Sequence, residues 1–517
     1  MKKGRFCFGL FLSSLEVYRL EDRIRDKELH KKVCSAEEAA ELIKNEMVVG
    51  CSGFTPSGYP KTVPQALIKR LGKNKENFKI DLLTGASVGR ELDGEFAKAG
   101  IIKRRYPYYS DNIVREDINK GEIFYKDVHL SHFPQQIRYG YYGDIDCAII
   151  EAASLTEEGN IVPTTSVGAT PVLASEAKEI IVEINTNKPL ALEGIHDIYQ
   201  PLDPPYRKPI PLKNVEDRIG NSYIEIDQDK IKAIVFTDQP DDLRLKVLED
   251  EACTRIAHHI IKFLINEVRD HRLPQDLLPL QSGVGQVANA VLAGLKQSNF
   301  ENLTFYSEVI QDSVFDLIDS SKIIFASGTS ITTSKKGYQR FVDNIDYYKK
   351  KIILRPQEIS NNPEIIRRLG SIAINTAVEV DIYGNVNSTN IMGTRMMNGI
   401  GGSGDFARNA YLSIFVTSST AKNGNISTIV PMVSHVDHTE HDIDVIVTEN
   451  GIADLRGLAP RERAAKIIEN CAHPDYKHQL KDYLKRAKSK GGHTPHLLDE
   501  ALLWHQRYIN NGTMFDK

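Results

Sequence analysis

Residues 146–153, DCAIIEAA, and residues 179–185, EIIVEIN, are two short and almost uninterrupted apolar stretches. Runs of this length without polar alternation are typical of parallel strands that helices cover on both faces. Helical patterns alternate with such strands along the rest of the chain. The sequence therefore predicts an α/β fold.

The segments before these strands repeat the alternation. MVVGCSGF (47–54) and FKIDLLTGA (78–86) predict strands, and KTVPQALIKRL (61–71) predicts a helix. Another helix is expected to open at SAEEAAELIK, because Ser35 precedes Glu38 by three residues, the spacing of a capping box.

Composition narrows the class of protein. The chain has 517 residues, enough for two or three α/β units, with 41% hydrophobic and 26% charged residues. The 65 basic and 69 acidic residues give a formal net charge of -4, without the basic excess that nucleic-acid binding needs. No apolar run approaches the roughly 20 residues of a membrane-spanning helix. We therefore expect neither a nucleic-acid partner nor a membrane.

The six cysteines are scattered and form no CxxC pair, which predicts reduced thiols, no bound metal and a cytoplasmic location. FCFGLFLSSL (6–15), which follows basic residues, is similar to a signal-peptide core. However, Gly9 and a serine pair interrupt it, and no small-residue cleavage site follows. We interpret residues 1–32 as an N-terminal extension.

The organisation of the chain predicts two related domains. HDIYQPLDPPYRKPIP (196–211) is a proline-rich irregular excursion, and KIKAIVFTD (230–238) then restarts a strand. We place the boundary near residue 225, between domains 33–225 and 226–517. LTEEGNIVPTT (155–165) is similar to VDIYGNVNST (380–389), and SGF (52–54) to SGVG (282–285). These pairs favour a duplication over chance. The last stretch, 460–487, predicts helices packed on the second domain.

Two glycine-rich segments are candidate binding loops. In LQSGVGQVANAVLAGL (280–295) a strand runs through Gly283 and Gly285 into a helix, which leaves the amides of Val284 and Gly285 free to bind an anion. An ordinary strand-to-helix turn is the alternative. MNGIGGSGDFARNAYL (397–412) satisfies GxGxxG, but no clear strand precedes it, so close approach of the backbone to a ligand is the better interpretation.

Side chains that could carry chemistry are scattered through both halves. Glu308 follows the strand NLTFY, where a carboxylate acts as a nucleophile, caps a helix or is simply solvated. Asn361 precedes a proline-started helix and could orient a neighbour or cap that helix. Ser87 offers the same choice in a glycine-flanked loop, and Lys422 is a solvated charge or a phosphate partner.

The segment HVDHTEHDIDVIVTE (435–449) concentrates His435, His438 and His441. Its spacing fits neither HExxH nor a facial triad. A polar, hydrogen-bonded turn that lines a site is the favoured interpretation, and a metal site is the alternative.

Together these motifs resemble a known family. QSGVGQVANAV (281–291), YSEVIQD (306–312), NGIGGSGDFARNAYL (398–412) and PMVSHVDHTEHDIDVIVTENGIADLRGLAPRERA (431–464) are similar to the acetyl-CoA hydrolase/transferase family, and within it to class I CoA-transferases. The resemblance runs from about residue 33 to the C-terminus. It implies two NagB/RpiA/CoA-transferase-like open α/β domains in a homodimer, with coenzyme A as a co-substrate and no permanently bound cofactor.

The resemblance also implies roles for particular residues. Glu308 would be the nucleophile that carries CoA as a thioester, and Asn361 would hold it in place. The oxyanion hole would be formed by the amides of Val284 and Gly402. Further residues would contact CoA, namely Gly283, Val284, Gly285, Gln286, Val378, Asn398, Gly402 and Lys422. Ser87 and Glu449 would lie near the acyl pocket. In the first glycine-rich segment, Gln286 stands where the GVGNxAN pattern of the family has asparagine.

The function expected from this resemblance is transfer of CoA between short carboxylates such as succinate and acetate. Hydrolysis of an acyl-CoA through the same Glu308 is the alternative among enzymes. A non-catalytic nucleotide-binding module and a nicotinamide dehydrogenase are weaker alternatives, because the first leaves Glu308 unexplained and the second rests on GxGxxG alone.

Overall fold

The computed structural model describes residues 20–72, 77–243 and 250–516. Strands of the first half are β1 (Val48–Cys51), β2 (Ile80–Leu83), β3 (Ile102–Tyr106), β4 (Phe124–Tyr125), β5 (Cys147–Leu155), β6 (Ile161–Pro163), β7 (Glu179–Asn185) and β8 (Ile231–Thr237). Strands of the second half are β9 (Leu280–Ser282), β10 (Leu303–Tyr306), β11 (Val309–Ile310), β12 (Ile323–Gly328), β13 (Ser330–Ile331), β14 (Ile352–Leu354), β15 (Ile372–Thr376), β16 (Glu379–Asp381), β17 (Val386–Asn387), β18 (Asn390–Ile391), β19 (Arg395–Met396), β20 (Leu412–Val416), β21 (Thr420–Ala421), β22 (Ile426–Ser427), β23 (Ile429–Val430), β24 (Val445–Thr448) and β25 (Gly451–Asp454).

Helices alternate with these strands. They are α1 (Ala36–Ala40), α2 (Thr62–Leu71), α3 (Glu95–Lys98), α4 (Asn112–Lys120), α5 (His132–Arg138), α6 (Thr170–Glu176), α7 (Glu251–Arg269), α8 (Gln286–Gln297), α9 (Asp312–Asp319), α10 (Lys335–Asp343), α11 (Ile345–Tyr348), α12 (Gln357–Ser360), α13 (Pro363–Leu369), α14 (Ser403–Asn409), α15 (Pro460–Cys471), α16 (Pro474–Ser489) and α17 (Leu503–Asn511). Short 3₁₀ segments cover Lys27–Lys32, Leu190–Leu192, Gln228–Lys230 and Glu440–Asp442, and one π turn covers Arg90–Gly94.

Two large sheets share one strand order. The first sheet runs β4-β3-β2-β1-β5-β7-β8, with β6 antiparallel on β5, and the second runs β14-β12-β10-β9-β15-β20-β24-β25. Apart from β6 and the antiparallel edge strand β25, all neighbours in both sheets are parallel. Counted along the chain, both sheets follow the order fourth, third, second, first, fifth, sixth, seventh. The α/β class is confirmed, and the shared order agrees with a duplication.

The glycine-asparagine fragments occupy equivalent places in the two halves. Gly159 turns the chain from β5 into β6 with φ of 72°, and Gly384 turns β16 into β17 with φ of 98°. Each turn follows the fifth strand of its sheet. Their likeness in sequence therefore reflects one hairpin made twice.

The apolar stretches form the centre of the first sheet, as predicted. All nine residues of β5 are buried, and Ile149 pairs with Ile181 on β7. Ser35 and Glu38 form the expected capping box at the start of α1. Helices cover both faces, so these strands need no polar face.

The first sheet extends beyond the boundary placed near residue 225. Strand β8 pairs with β7, so the segment that restarts after the proline-rich excursion completes the first sheet rather than opening the second. The reason is tertiary, because an edge strand joins whichever sheet offers an unpaired edge. Helix α7, which begins at Glu251, follows this strand.

The described part of the N-terminal extension is packed against the first half. Ile24 and Leu29 are buried, and Ile24 forms a β-bridge with Leu155. The signal-like stretch 6–15 lies outside the described residues.

The excursion 196–211 is irregular, as predicted, and it binds the second half. Ile210 and Leu212 are buried against Tyr306 and Phe406. Arg355, fully buried, forms an ion pair with Asp197 at the start of the excursion. This segment therefore fastens the two halves together.

The C-terminal helices pack on the second half, as predicted. Ile467 on α15 and Leu480 on α16 are buried in one core with Val386 and Ile446. Across residues 20–72, 77–243 and 250–516, no helix combines the length and the apolar character that a membrane crossing requires. The cysteines of these ranges are free thiols.

Candidate active site

A cavity of about 520 Å³ lies between the two halves, at the carboxyl ends of both sheets. Phe54, Ser87 and Tyr108 line it from loops that follow β1, β2 and β3, and Val284 and Glu308 line it from loops that follow β9 and β10. In open parallel sheets such crevices form where the strand order reverses, here beside β1 and β9. The duplication therefore brings two such edges together.

Glu308 contributes a carboxylate to the part of the cavity wall that the second half of the chain forms. It follows β10 after one residue and is 7% exposed. Its Oε2 accepts a hydrogen bond from Ser307 Oγ at 3.2 Å and a long one from Gln281 Nε2 at 3.5 Å. Burial raises the pKa of Glu308, and these hydrogen bonds oppose that shift.

Gly402 lies directly against this carboxylate. A Cβ atom built on Gly402 would fall 1.2 Å from Glu308 Oε1 and 2.6 Å from Asn361 Oδ1. No residue other than glycine fits that position without displacing Glu308. The structure thus brings together three of the predicted residues from three separate segments of the chain.

Asn361 lies behind the carboxylate and is fully buried. Within the described ranges, neither its Oδ1 nor its Nδ2 has a hydrogen-bond partner. The alternative role as a helix cap belongs to the next residue, because the Asn362 side chain accepts from the amide of Glu364 at the start of α13. A buried amide without partners next to a carboxylate is typical of a site that binds a ligand.

The first glycine-rich segment turns into a helix as predicted. Strand β9 ends at Ser282, Gly285 has φ of 141°, a conformation that favours glycine, and α8 begins at Gln286. Gly283 and Val284 line the cavity, whereas Gly285 and Gln286 lie beside it and are exposed. Asn398 lines the cavity from the second segment.

Three predicted residues lie away from this cavity wall. Val378 donates its amide hydrogen to Asn387, and Lys422 is exposed in the turn between β21 and β22. Glu449 accepts from the amide of Ser419 at 2.8 Å. The structure therefore does not bring these three side chains to Glu308, and their roles stay predictions.

The histidines of 435–449 do not form a cluster. Within the described parts of the chain, no group of three His, Cys, Asp or Glu side chains is arranged to hold a metal. His435 lies 3.3 Å from Asp437, and His441 is exposed, whereas His438 is buried against Phe415 with ring centroids 4.8 Å apart. Burial lowers the pKa of His438 to about 4.

Several residues around the carboxylate are absent from the sequence-based prediction. Gln281 and Ser307 donate hydrogen bonds to Glu308. Their positions beside the ends of predicted strands were the sequence feature that could have identified them as site residues. Tyr108 accepts a hydrogen bond from Asn398 Nδ2 at 2.9 Å, and burial raises its pKa to about 12. No local pattern marks Tyr108, because its contact joins the two halves.

Asp405, the acidic residue of the second glycine-rich segment, bonds to the first half. It accepts hydrogen bonds from Ser131 of the first half, through the amide at 3.0 Å and the hydroxyl at 2.6 Å. Burial raises the pKa of Asp405 to about 7. This carboxyl ties the loop of Gly402 to the opposite domain.

Most of the chain matches the sequence profiles of one enzyme family. Profiles of the acetyl-CoA hydrolase/transferase N-terminal and C-terminal domains match residues 17–236 and 337–484. The chain belongs to the acetyl-CoA hydrolase/transferase family. It is therefore an enzyme that acts on acyl-CoA.

Relatives in the family include both kinds of enzyme. A succinyl-CoA:acetate CoA-transferase of Clostridium kluyveri is 56% identical over 96% of this chain and 92% of its own length. An acetyl-CoA hydrolase of Schizosaccharomyces pombe is 47% identical over 96% of this chain and 98% of its own length. Among solved structures, RipA of Yersinia pestis, at 22% identity, shares the fold with a TM-score of 0.69 over 88% of this chain and 98% of that one.

The match to the family begins earlier than the resemblance suggested. The N-terminal profile starts at residue 17, so the start near residue 33 that the resemblance implied is wrong, and residues 17–32 belong to the match. The burial of Ile24 and Leu29 gives the physical reason, since these residues belong to the core of the first half.

Proposed function

We propose that this enzyme transfers CoA from succinyl-CoA to acetate, giving acetyl-CoA and succinate, through a thioester between CoA and Glu308. The observation that carries the proposal is the placement of the Glu308 carboxylate, buried in the interdomain cavity with Oε1 against Gly402. The relative at 56% identity, a succinyl-CoA:acetate CoA-transferase, supports this choice of substrates.

The chemistry exchanges one thioester for another. A carboxylate oxygen of Glu308 attacks the thioester carbonyl of succinyl-CoA, the C–S bond breaks, and a mixed anhydride and the CoA thiolate result. The thiolate then attacks the glutamyl carbonyl of the anhydride and releases succinate. Acetate reverses both steps, attacking the glutamyl-CoA thioester to form a new anhydride, whose acetyl carbonyl the thiolate attacks. Acetyl-CoA leaves and the carboxylate of Glu308 is restored.

Burial makes the Glu308 carboxylate a better nucleophile for the thioester carbonyl. A carboxylate that is poorly solvated is more basic and more nucleophilic than one in water, and its raised pKa reflects this. Only the ionised form attacks. Turnover should therefore fall with decreasing pH at a higher pH than the ordinary glutamate value of about 4.3 would give.

Other residues receive roles under the same proposal. The amides of Val284 and Gly402 stabilise the developing oxyanion. Asn361 is assigned to orient Glu308 during the reaction, because both side chains lie against Gly402 and the Asn361 side-chain amide bonds to no other described residue. Ser87 lines the acyl end of the cavity. Coenzyme A enters as a co-substrate, and the chain works as a homodimer.

Remaining contacts to CoA are assigned to residues at and beyond the cavity. Gly283 and Asn398, which line the cavity, and the adjoining Gly285 and Gln286 are assigned to the near part of CoA. Val378 and Lys422 are assigned to its more distant parts. The exposed ammonium of Lys422 suits a phosphate group. Glu449 joins the acyl pocket only if it leaves Ser419, whose amide it accepts from here.

Hydrolysis is the second candidate. It is favoured by the relatives at 45 to 47% identity that are acetyl-CoA hydrolases. In that reaction water, rather than a second carboxylate, resolves the intermediate on Glu308. The two reactions differ in how well the site excludes water.

The test incubates the enzyme with succinyl-CoA, with and without acetate, and follows acetyl-CoA by chromatography and free thiol with a colour reagent. Acetyl-CoA that forms only with acetate, without thiol release, would support transfer. Thiol release that ignores acetate would mean that the chain is a hydrolase.

A matched pair of variants tests the nucleophile. Glu308→Gln keeps the size of the side chain but replaces the nucleophilic carboxylate with a neutral amide, so turnover should fall roughly 1000-fold or more. Glu301→Gln makes the same change at an exposed site and should leave turnover unchanged. Mass spectrometry should detect bound CoA on the wild type and not on Glu308→Gln. A fully active Glu308→Gln enzyme would refute the role of Glu308.

A further inference from the structure

The backbone of Ile400, two residues before Gly402, is held by hydrogen bonds at both its N–H and its carbonyl group. Its N–H donates to Asp127 Oδ2 of the first half at 2.7 Å. Its carbonyl oxygen accepts from Ser403 Oγ at 2.7 Å. The loop that presses on Glu308 is therefore fixed at this point by both domains.

Ser403 is held in turn by His438. The imidazole Nε2 lies 3.1 Å from Ser403 Oγ. Serine has one hydroxyl hydrogen, and the carbonyl of Ile400 can only accept it. We therefore assign Nε2 of His438 as the donor to Ser403 Oγ, with Ser388 Oγ as a second and longer contact at 3.4 Å.

The imidazole itself is rigidly placed. Its ring packs against Phe415 at a tilt of 42°, with centroids 4.8 Å apart, and its backbone N–H donates to the carbonyl of Val386 on β17. Its neighbour Asp437 accepts from the amides of Ser388 at 2.6 Å and Thr389 at 3.0 Å. Phe415 therefore holds the ring of His438, and these hydrogen bonds hold the backbone on either side of it.

We propose that His438 is a positioning residue, which acts through Ser403 and Ile400 to hold the loop of Gly402 against the Glu308 carboxylate. It touches neither substrate nor the reacting atoms. The inference rests on the proposed function only in taking Glu308 as the reacting group. It gives the histidine-rich segment a role that needs no metal.

The experiment uses three substitutions in the full chain. His438→Met removes the donor and keeps an apolar side chain of similar bulk, and His438→Gln replaces the imidazole donor with an amide donor. His441→Met is the matched control, because the His441 side chain is 81% exposed in the same segment. Turnover is counted as acyl transfer plus thiol release, and melting temperatures are recorded for each variant.

We expect His438→Met to lower kcat about 10- to 100-fold and to change KM for acyl-CoA less than about threefold, because a small displacement at the reacting centre affects the transition state more than binding. His438→Gln should recover kcat to within about threefold of the wild type. His441→Met should behave as the wild type.

A double mutant separates positioning from general destabilisation. Ser403→Ala breaks the same chain of hydrogen bonds, so Ser403→Ala with His438→Met should lose no more activity than the worse single variant. Losses that multiply, or a His438→Gln enzyme as slow as His438→Met, would overturn the proposal. A wild type that only hydrolyses acyl-CoA would refute the transfer reaction and would still test His438 by thiol release.

Discussion

Replacing Gly402 with alanine would place a methyl group on the carboxylate of Glu308. The added Cβ would fall 1.2 Å from Oε1 and 2.4 Å from the carboxyl carbon. Nonbonded carbon and oxygen atoms need roughly 3.3 Å. The carboxylate would therefore have to move by about 2 Å, away from the position that the loop of Gly402 defines.

Such a displacement should be costly for the reaction. A misplacement of about 1 Å at a reacting group can lower a rate about 100-fold. We therefore expect Gly402→Ala to lower kcat at least about 100-fold. Asn361 cannot absorb the change, since its Oδ1 would itself lie 2.6 Å from the new methyl group.

The assay measures steady-state turnover of acetyl-CoA or succinyl-CoA, with circular dichroism and a melting curve to show that the variant folds. Gly294→Ala is the matched control. It makes the same substitution in α8, where the nearest atom to an added Cβ is a side-chain carbon of Ile261 at 3.2 Å. This control should keep wild-type turnover.

A folded Gly402→Ala enzyme that retains more than about a tenth of wild-type kcat would mean that Glu308 reacts from a position other than the one observed against this glycine. The structure would then describe a resting arrangement of the carboxylate.

Three further predictions concern the site and its support. Asn361→Ala removes the amide behind Glu308, so steady-state kinetics should show kcat falling about 10- to 100-fold with KM nearly unchanged, and a larger effect on KM than on kcat would contradict an orienting role. Lys61 is fully buried and pairs with Glu151 at 2.6 Å, so Lys61→Met leaves that carboxylate without this cation and should cost about 3 to 5 kcal/mol in urea unfolding, whereas an unchanged midpoint would show that the pair adds nothing. Burial raises the pKa of Asp405 to about 7, so between about pH 4 and 7 the folded protein keeps a proton that the unfolded chain has lost. This contribution to stability is complete below pH 4 and is lost as the pH rises through 7. Asp405→Asn should therefore flatten the fall in stability between about pH 4 and 7, and equal slopes for both proteins over that range would argue against the raised pKa.

Local sequence predicted much of the framework. The apolar stretch that became β5, the capping box at Ser35 and the two glycine-asparagine hairpins each depend on a few neighbouring residues. Patterns of this kind act within one element, so they can be read from a string of letters. The position of Glu308 after a strand followed from the same reasoning.

The position of the domain boundary could not be predicted from local sequence. The strand β8 looks the same whether it closes the first sheet or opens the second, because its own residues favour only an extended buried segment. Its pairing with β7 depends on where the chain returns after the excursion.

Local burial and turn chemistry are enough to predict the α/β class, the duplicated pattern and the glycine-rich segments. The packing of the whole chain is needed to show that Gly402, Asn361 and Glu308 lie together, that Lys422 and Glu449 lie elsewhere, and that Asp127 of the first half holds the loop of the second. Contacts between distant segments depend on sheet order and domain packing, which arise from the whole chain at once. The proposed reacting centre is such a contact.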